Sequence, residues 1–155
     1  MKRYGLFRIG KLNFAILLLH IQKILQGSKG YILPRFPRTV SAVLVDDGQL
    51  IPLLDLGQLF GEHSQAERPI GSYQVLVESE YGIVALPADL TGRIVAENKG
   101  VLATIAKEDK DFGTVGRFIY QSEEYKILDI NFLAIEMTQG FWQNQLDTGG
   151  ARRHK

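Results

Sequence analysis

The chain has 155 residues, 45% of them hydrophobic and 23% charged, and its 18 Lys and Arg against 17 Asp and Glu leave a formal net charge of +1. That is the balance of one globular domain, or two small ones sharing a core, rather than of a disordered chain. So even a charge argues against binding nucleic acid or an anionic membrane through bulk electrostatics. Cysteine is absent, which excludes disulfides, thiolate catalysis and Cys-ligated metals.

The opening MKR and the apolar 12-LNFAILLL-19 have the order of a signal peptide. Against that reading, Lys11 and Asn13 interrupt the approach, His20, Gln22 and Lys23 follow at once, and no small-residue cleavage site precedes 26-QGSKG-30. The run is also well short of the roughly 20 apolar residues that span a bilayer. The expectation is a cytoplasmic protein without membrane insertion. Leu12, Phe14, Ile16 and Leu18 alternate with period two, and Ala15, Leu17 and Leu19 make the later part apolar on both faces. This predicts a strand entering a buried position. Ile21, Ile24 and Leu25 then stand at i, i+3 and i+4, which predicts a single helical turn ended by Gly27 and Gly30. The prolines of 34-PRFP-37 bias their predecessors away from helix and predict an extended connector. A strand from Val40 to Val45 follows, then Asp47-Gly48 as a two-residue hairpin turn, since Gly tolerates positive φ. Leu50 to Leu54 returns as its partner, with Pro52 where at least one N–H is not needed.

Asp55 closes that strand ahead of 56-LGQLF-60, which has helical apolar spacing and Gly61 as a stop. Its carboxylate can accept from an unpaired N–H of the first turn, and Gln58 can complete a capping box. Asp129 stands in the same place before 130-INFLAIE-136, although Phe132 cannot reciprocate as Gln58 can. Both aspartates are therefore read as structural helix caps rather than as catalytic groups. Residues 42–59 align without a gap on 116–133, so that Ala42, Gly48, Leu53, Asp55 and Leu59 match Gly116, Ser122, Ile127, Asp129 and Leu133. Upstream, 14-FAILLLHIQKIL-25 corresponds loosely, with a one-residue slip, to 84-VALPADLTGRIV-95. Each half reads as strand, strand, short helical turn, loop, hairpin and short helix. The fold class is thus mainly β, and two copies of a roughly five-stranded unit predict two small barrels, because closure hides sheet edges. The polar 61-GEHSQAERPIGS-72 is the junction between subdomains of about 1–65 and 66–137 in a single domain spanning 1–137. Residues 138–155 read as a short helix holding Trp142 and a flexible basic tail.

Enzyme motifs are nearly absent. His20, His63 and His154 are scattered without metal-ligand spacing, and no HExxH, G-x-S-x-G, P-loop or G-x-G-x-x-G occurs. His20, at a strand end, reads as structural. The triplet 147-DTG-149 matches that of aspartic proteases, whose chemistry needs two facing carboxylates on a rigid scaffold, yet only GARRHK follows it. The cluster 107-KEDKD-111 reads as a solvated loop. Tyr4, Phe7 and Phe14 fall on strand faces that read as buried, so exposed aromatics interleaved with basic residues, the signature of single-strand binding, are missing. No residue is nominated for catalysis, a cofactor or a metal.

The segments 7-FRIGKLNFAILLLHIQKIL-25, 34-PRFPRTVSAVLVDDGQLIPLLDLGQLFG-61, 73-YQVLVESEYGIVALPADLTGRIV-95 and 115-VGRFIYQSEEYKILDINFL-133 carry a family pattern. Its elements are two prolines three apart, a Gly before a strand, an Asn-Leu-Arg-Gly hairpin and Ile-Pro-x-x-Asp-Leu. Pro34, Pro37, Gly48, Ile51, Pro52, Asp55 and Leu56 fit it. Over about residues 4–137 the chain resembles the CheW-like domain family. The resemblance implies two intertwined five-stranded SH3-like β-barrel subdomains with short helices, no catalytic activity and no cofactor. It also implies an adaptor's partners: the regulatory domain of a CheA-type histidine kinase and the cytoplasmic tip of a methyl-accepting chemoreceptor. The alternative is an adaptor of the same fold in a pilus-motility or other kinase array. A small ligand-binding or enzymatic barrel is disfavoured by the missing nucleophiles and ligands, and an oligonucleotide-binding barrel by the net charge.

The chain departs from the pattern where partners are implied to bind. The Asn-Leu-Arg-Gly hairpin is 45-VDDG-48, so Asp47 replaces the arginine, Ala42 replaces the Gly, and Lys23 stands where many members carry an acid. The implied arrangement is Lys23 facing Asp47 across the first barrel, with the polarity of the pair reversed. A groove lined by Ile21, Lys23, Val40, Asp47 and Gly48 would offer apolar area to a receptor hairpin, and the barrel edges would dock the kinase's own similar domain. Ile21→Asp is then expected to abolish binding and leave the fold intact.

Overall fold

The structure is a computed structural model that describes residues 1–32, 38–60, 72–104 and 113–138, with only the backbone for Gln58, Leu59, Leu90 and Thr91. The PRFP connector, the capping-box role of Gln58, most of the polar junction, the KEDKD cluster, His63 and everything after Thr138 lie outside that description. Strands β1 (Arg3–Ile9) and β2 (Leu12–Leu17) form a hairpin, one 3-10 turn (Leu18–His20) follows, and β3 (Ile21–Gln26) continues. Then come β4 (Val40–Asp46), β5 (Gln49–Leu54) and helix α1 (Leu56–Phe60). The second half runs β6 (Tyr73–Ser79), β7 (Gly82–Ala88), β8 (Leu90–Ala96), a 3-10 turn (Glu97–Lys99), β9 (Val101–Ala103), β10 (Thr114–Tyr120), β11 (Glu123–Leu128) and α2 (Ile130–Met137).

These strands form a six-stranded sheet in the order β8-β1-β2-β11-β10-β9 and a five-stranded sheet in the order β3-β6-β7-β5-β4. Each repeat lends its first hairpin to the other's sheet, so both sheets draw strands from both sides of the 61–72 junction. The repeat survives in the register. The parallel contact Leu53 to Ala85 in one sheet has its counterpart in Ala15 to Ile127 in the other. Bulges fall at Val40/Ala42 and at Thr114/Gly116, positions that the internal alignment superposes. The Asp55 N–H donates to the Thr39 carbonyl at 2.7 Å just as the Asp129 N–H donates to that of Gly113 at 2.8 Å. Even β9, which pairs Ala103 with Arg117, has a remnant in the isolated bridge between Tyr31 and Val43.

Exchanging hairpins gives a strand two buried faces, and this is what residues 12–17 encode; the expected strand stops there, because Leu18 and Leu19 belong to the 3-10 turn and Leu19 is 75% exposed. On β2, Phe14 and Ile16 enter a core between the sheets while Ala15 enters the concave side of the six-stranded sheet. On β6, Val75 and Val77 face the same inter-sheet core, and Leu76 faces the concave side of the five-stranded sheet with Leu44, Ile51 and Leu53. Helix α2 adds Ile130, Leu133, Ala134 and Met137 to the inter-sheet core. Each fully buried Leu, Ile or Phe contributes roughly 1.5–3 kcal/mol relative to exposure; the inter-sheet core joins the two sheets, and each sheet has a further core on its own concave side.

The expectation for β3 changes. The helical turn expected at Ile21, Ile24 and Leu25 is strand β3, with one turn of 3-10 helix just before it. A bulge between Ile21 and Lys23 is the cause. An extra residue resets the two-residue alternation, so Ile21 packs on the inter-sheet core and Leu25 on the other face, at a spacing that imitates a helix. Pro52 lies between β4 and β7, where the contact with β7 is registered only at Leu53, in keeping with the expected position of an unneeded N–H. The Asp47-Gly48 turn forms as expected. Asp46 pairs with Gln49, and Asp47 (φ 52°) and Gly48 (φ 76°) both take the left-handed conformation that a tight two-residue hairpin demands.

Candidate functional site

Strands β3 and β4 are the two ends of the five-stranded sheet, and a side-chain ion pair links them. Lys23 lies opposite Leu76, which fixes its side chain on the concave face. Asp46 shares that face with Leu44, two residues back along β4. Their side chains close the mouth of the concave core with Lys23 Nζ 2.6 Å from Asp46 Oδ2. The hydrogen bond to Asp46 is the main reason that the Lys23 ammonium holds its proton above the usual lysine range; the charges of Asp46 and Asp47 act in the same direction, and partial desolvation opposes them.

The expected partner was Asp47, and the structure corrects this by one residue. Asp46 is the last strand residue and keeps the inward alternation, whereas Asp47 has entered the turn at positive φ and contributes only its field. Val40 is fully buried in the inter-sheet core and offers no surface to a partner. Ile21 packs against that core, and its Cδ1 would lie 2.8 Å from a Cβ at Gly5. Ile21→Asp would therefore place a charge against packed apolar atoms, so it would disturb the fold and cannot serve as a clean binding test. Gly48 and Asp47 stand together at the tip of the hairpin, next to Lys23 and Asp46.

The same hairpin carries an apolar pair that the sequence reading did not nominate. Val45 and Leu50 are directly opposite each other on the outer face and are 55% and 47% exposed. Alternation along β4 was the available signal: with Leu44 inward, Val45 must point out. At the two capping positions, Asp55 is buried at the start of α1. Asp129 caps α2, its carboxylate accepting from the Phe132 N–H at 3.1 Å. His20 has Nδ1 3.3 Å from the Glu78 carbonyl, tying the 3-10 turn to the end of β6.

The profile of the CheW-like domain family matches residues 3–133. The chain belongs to the CheW-like domain family. Among solved structures it is similar to the scaffolding protein TtCheW from Thermoanaerobacter tengcongensis, with a TM-score of 0.69 and 16% sequence identity over 85% of this chain and 86% of that one. No curated protein matches the chain. The CheW-like fold accounts for the mainly β, two-subdomain architecture, and the family's role is that of a non-catalytic adaptor in chemotaxis-type signalling. Among the described residues, no group of three His, Asp or Glu could hold a metal ion, and no helix is long and apolar enough to cross a membrane.

Proposed function

We propose that this CheW-like chain works in the cytoplasm as an adaptor joining the regulatory domain of a CheA-type histidine kinase to the tip of a chemoreceptor, and that each sheet is one SH3-like barrel of an intertwined pair. Residues 1–137 would act as the single binding unit. The observation that carries the reading is the β4–β5 hairpin: an exposed apolar pair, Val45 and Leu50, beside the Lys23–Asp46 ion pair. Such a surface, a small apolar centre with charges at its rim, suits a protein partner. In the second repeat the position of Leu50 is held by Glu124, which is engaged by Arg117 at 2.9 Å, so the apolar pair distinguishes one end of the molecule from the other. Asp46, Asp47 and Lys23 would select the partner, because mismatched charge on a rim costs more than matched charge contributes.

The test is a calorimetric titration with the regulatory domain of each CheA-type kinase from the same genome, and with soluble receptor-tip fragments. Binding that falls at least about tenfold in Val45→Asp and in Leu50→Asp, equivalent to about 1.4 kcal/mol, is the expected result. Both residues are solvent-facing, so thermal unfolding should barely change. Undiminished binding in both variants would remove this surface from the reading, and no binding to any kinase or receptor would remove the adaptor role with those partners.

A further inference from the structure

One end of the molecule serves as a control for the other. The pairing that sets Phe7 opposite Phe14 and Ile24 opposite Val75 recurs as Val77 opposite Val84 and Ile94 opposite Gly5. The register shift between Ile21 and Lys23 has its equivalent in the shift between Gly5 and Phe7 opposite β8. Lys23 therefore corresponds to Arg93. In the hairpins, Asp47-Gly48 and Gln121-Ser122 occupy the same turn, so Asp46 corresponds to Tyr120. At the mouth of the five-stranded sheet, the cation meets a carboxylate of its own chain. At the mouth of the six-stranded sheet, the equivalent cation meets a phenol: Arg93 Nη1 donates to the Tyr120 hydroxyl at 3.5 Å.

Where the second carboxylate would stand, there is a cleft of about 330 Å³. Its floor is Leu6 and the ring of Tyr125, both resting on the concave core. Arg8 comes in from the end of β1; its Nε donates to the Gly10 carbonyl at 3.0 Å. Among the described residues neither guanidinium is in an ion pair. Both are close enough to the Tyr125 hydroxyl to oppose the upward shift that burial and Glu123 impose on it. Among the described residues Glu123 is the one carboxylate lining the cleft, and it already accepts from the Tyr125 hydroxyl at 3.1 Å. The rim turn adds an independent sign. Gln121 and Ser122 hold φ of 51° and 66° without a Gly or Asn between them, a strained choice of the kind that persists where a site needs the backbone placed.

We propose that this cleft binds a carboxylate group presented by a peptide, which takes beside Arg93 the place that Asp46 takes beside Lys23. Two guanidiniums against one engaged carboxylate leave a net positive charge over an aromatic floor. The planar donor fork of Arg93 matches a carboxylate in a bidentate geometry. Tyr120 and Asn13 line the same cleft and supply further polar contacts.

The test is amide chemical-shift mapping on the full chain with three probes: a capped Gly-Glu-Gly peptide, its Gly-Gln-Gly counterpart, and glutarate. The Glu peptide is expected to shift the amides of Arg93, Gln121 and Glu123 saturably at millimolar concentration, and the Gln peptide is not. Arg93→Gln, at an exposed position, should weaken that binding at least about tenfold, as expected for a lost charge-assisted pair, with the rest of the spectrum unchanged. Tyr120→Asp, which rebuilds the ion pair of the first repeat, should abolish it. Saturation by either acid supports the site, and the tighter of the two identifies whether the carboxylate is peptide-borne or free. Equal shifts from the Gln peptide, or unchanged affinity in Arg93→Gln, would overturn the proposal.

Discussion

Tyr4 offers a quantitative test of how the six-stranded sheet is closed. It is buried on β1, its ring centroid lies 5.0 Å from that of Phe118, and its hydroxyl donates to Glu97 Oε2 at 3.1 Å. That bond ties the first strand to the 3-10 turn leading into the sheet's far edge. Burial first, then the hydrogen bond and the charge of Glu97, push the phenol from 10.0 up to about 12. The folded state thus favours the protonated phenol. Its contribution is fully present below pH 10, where the unfolded chain also keeps the proton, and is lost as pH rises through 12. With those two values, linkage gives a loss of about 1.4 kcal/mol at pH 11 and a limit of about 2.7 kcal/mol above both. The assay is urea unfolding of the parent chain and of Tyr4→Phe at pH 8 and pH 11, with the two stability losses subtracted. Every other group is common to the two proteins, and its contribution cancels in the subtraction. At pH 8 the variant should be weaker by about 0.5–1.5 kcal/mol, for one lost hydrogen bond; at pH 11 most of that difference should be gone or reversed. Glu97→Gln should keep part of the pH dependence, because burial, its first cause, remains. Equal losses between pH 8 and pH 11 in the parent and in Tyr4→Phe would refute the reasoning.

Asp129→Ala should cost about 1 kcal/mol by removing the cap of α2, read as a lower urea midpoint with an unchanged slope, and Asp129→Asn should recover most of it. Gly92→Ala should be far more damaging, since a Cβ there would meet the Leu6 carbonyl oxygen at 2.0 Å. The backbones of β1 and β8 would have to part, and overpacking of that kind costs roughly 1–3 kcal/mol before any ladder bond is lost. A loss below about 0.5 kcal/mol, the level of an ordinary surface change, would mean that the two strands do not approach so closely. At the first hairpin, Asp46→Lys should weaken kinase-domain binding where the double change with Lys23→Glu restores it, measured as a coupling in a double-mutant cycle; additive effects would separate the two residues. Thermal unfolding of the charge-swapped protein should match the parent, since the pair is solvent-accessible.

The legible parts of this fold are those set by local rules. Asp47-Gly48 announced a tight hairpin because few residue pairs accept two successive positive φ values, and the apolar run from Leu12 announced a buried strand, although its last two leucines leave the strand for a 3-10 turn. The unread parts depend on parity and on pairing at a distance. A bulge at Ile21 made β3 look helical, and one step of alternation separated Asp46, which points inward, from Asp47, which has left the strand. The buried state of Val40 follows from its place opposite Leu54 in the inter-sheet core, which no window of sequence around it contains. The second cleft was hidden for a further reason. Its residues come from β1, β2, β8 and the β10–β11 hairpin, and they meet only because each repeat gives its first hairpin away.

That exchange also decides which surfaces remain free for partners. The lent hairpins β1–β2 and β6–β7 are packed between cores over most of their length, and β1–β2 reaches the second cleft where Arg8 and Asn13 approach its turn. The strands that stay at home, β3 with β4–β5 and β8 with β10–β11, keep their outer faces and hairpin tips in solvent. A duplicated unit would then present two copies of one surface, and two identical surfaces would not tell one partner from another. The substitutions between the repeats break that equivalence at the tips. One tip is apolar, with its mouth closed by Lys23 and Asp46. The other is charged on its outer face, and its mouth is left open by Tyr120 where an aspartate would have closed it. An adaptor needs two ends that differ, and here the difference lies in a few side chains at corresponding positions of one repeated fold.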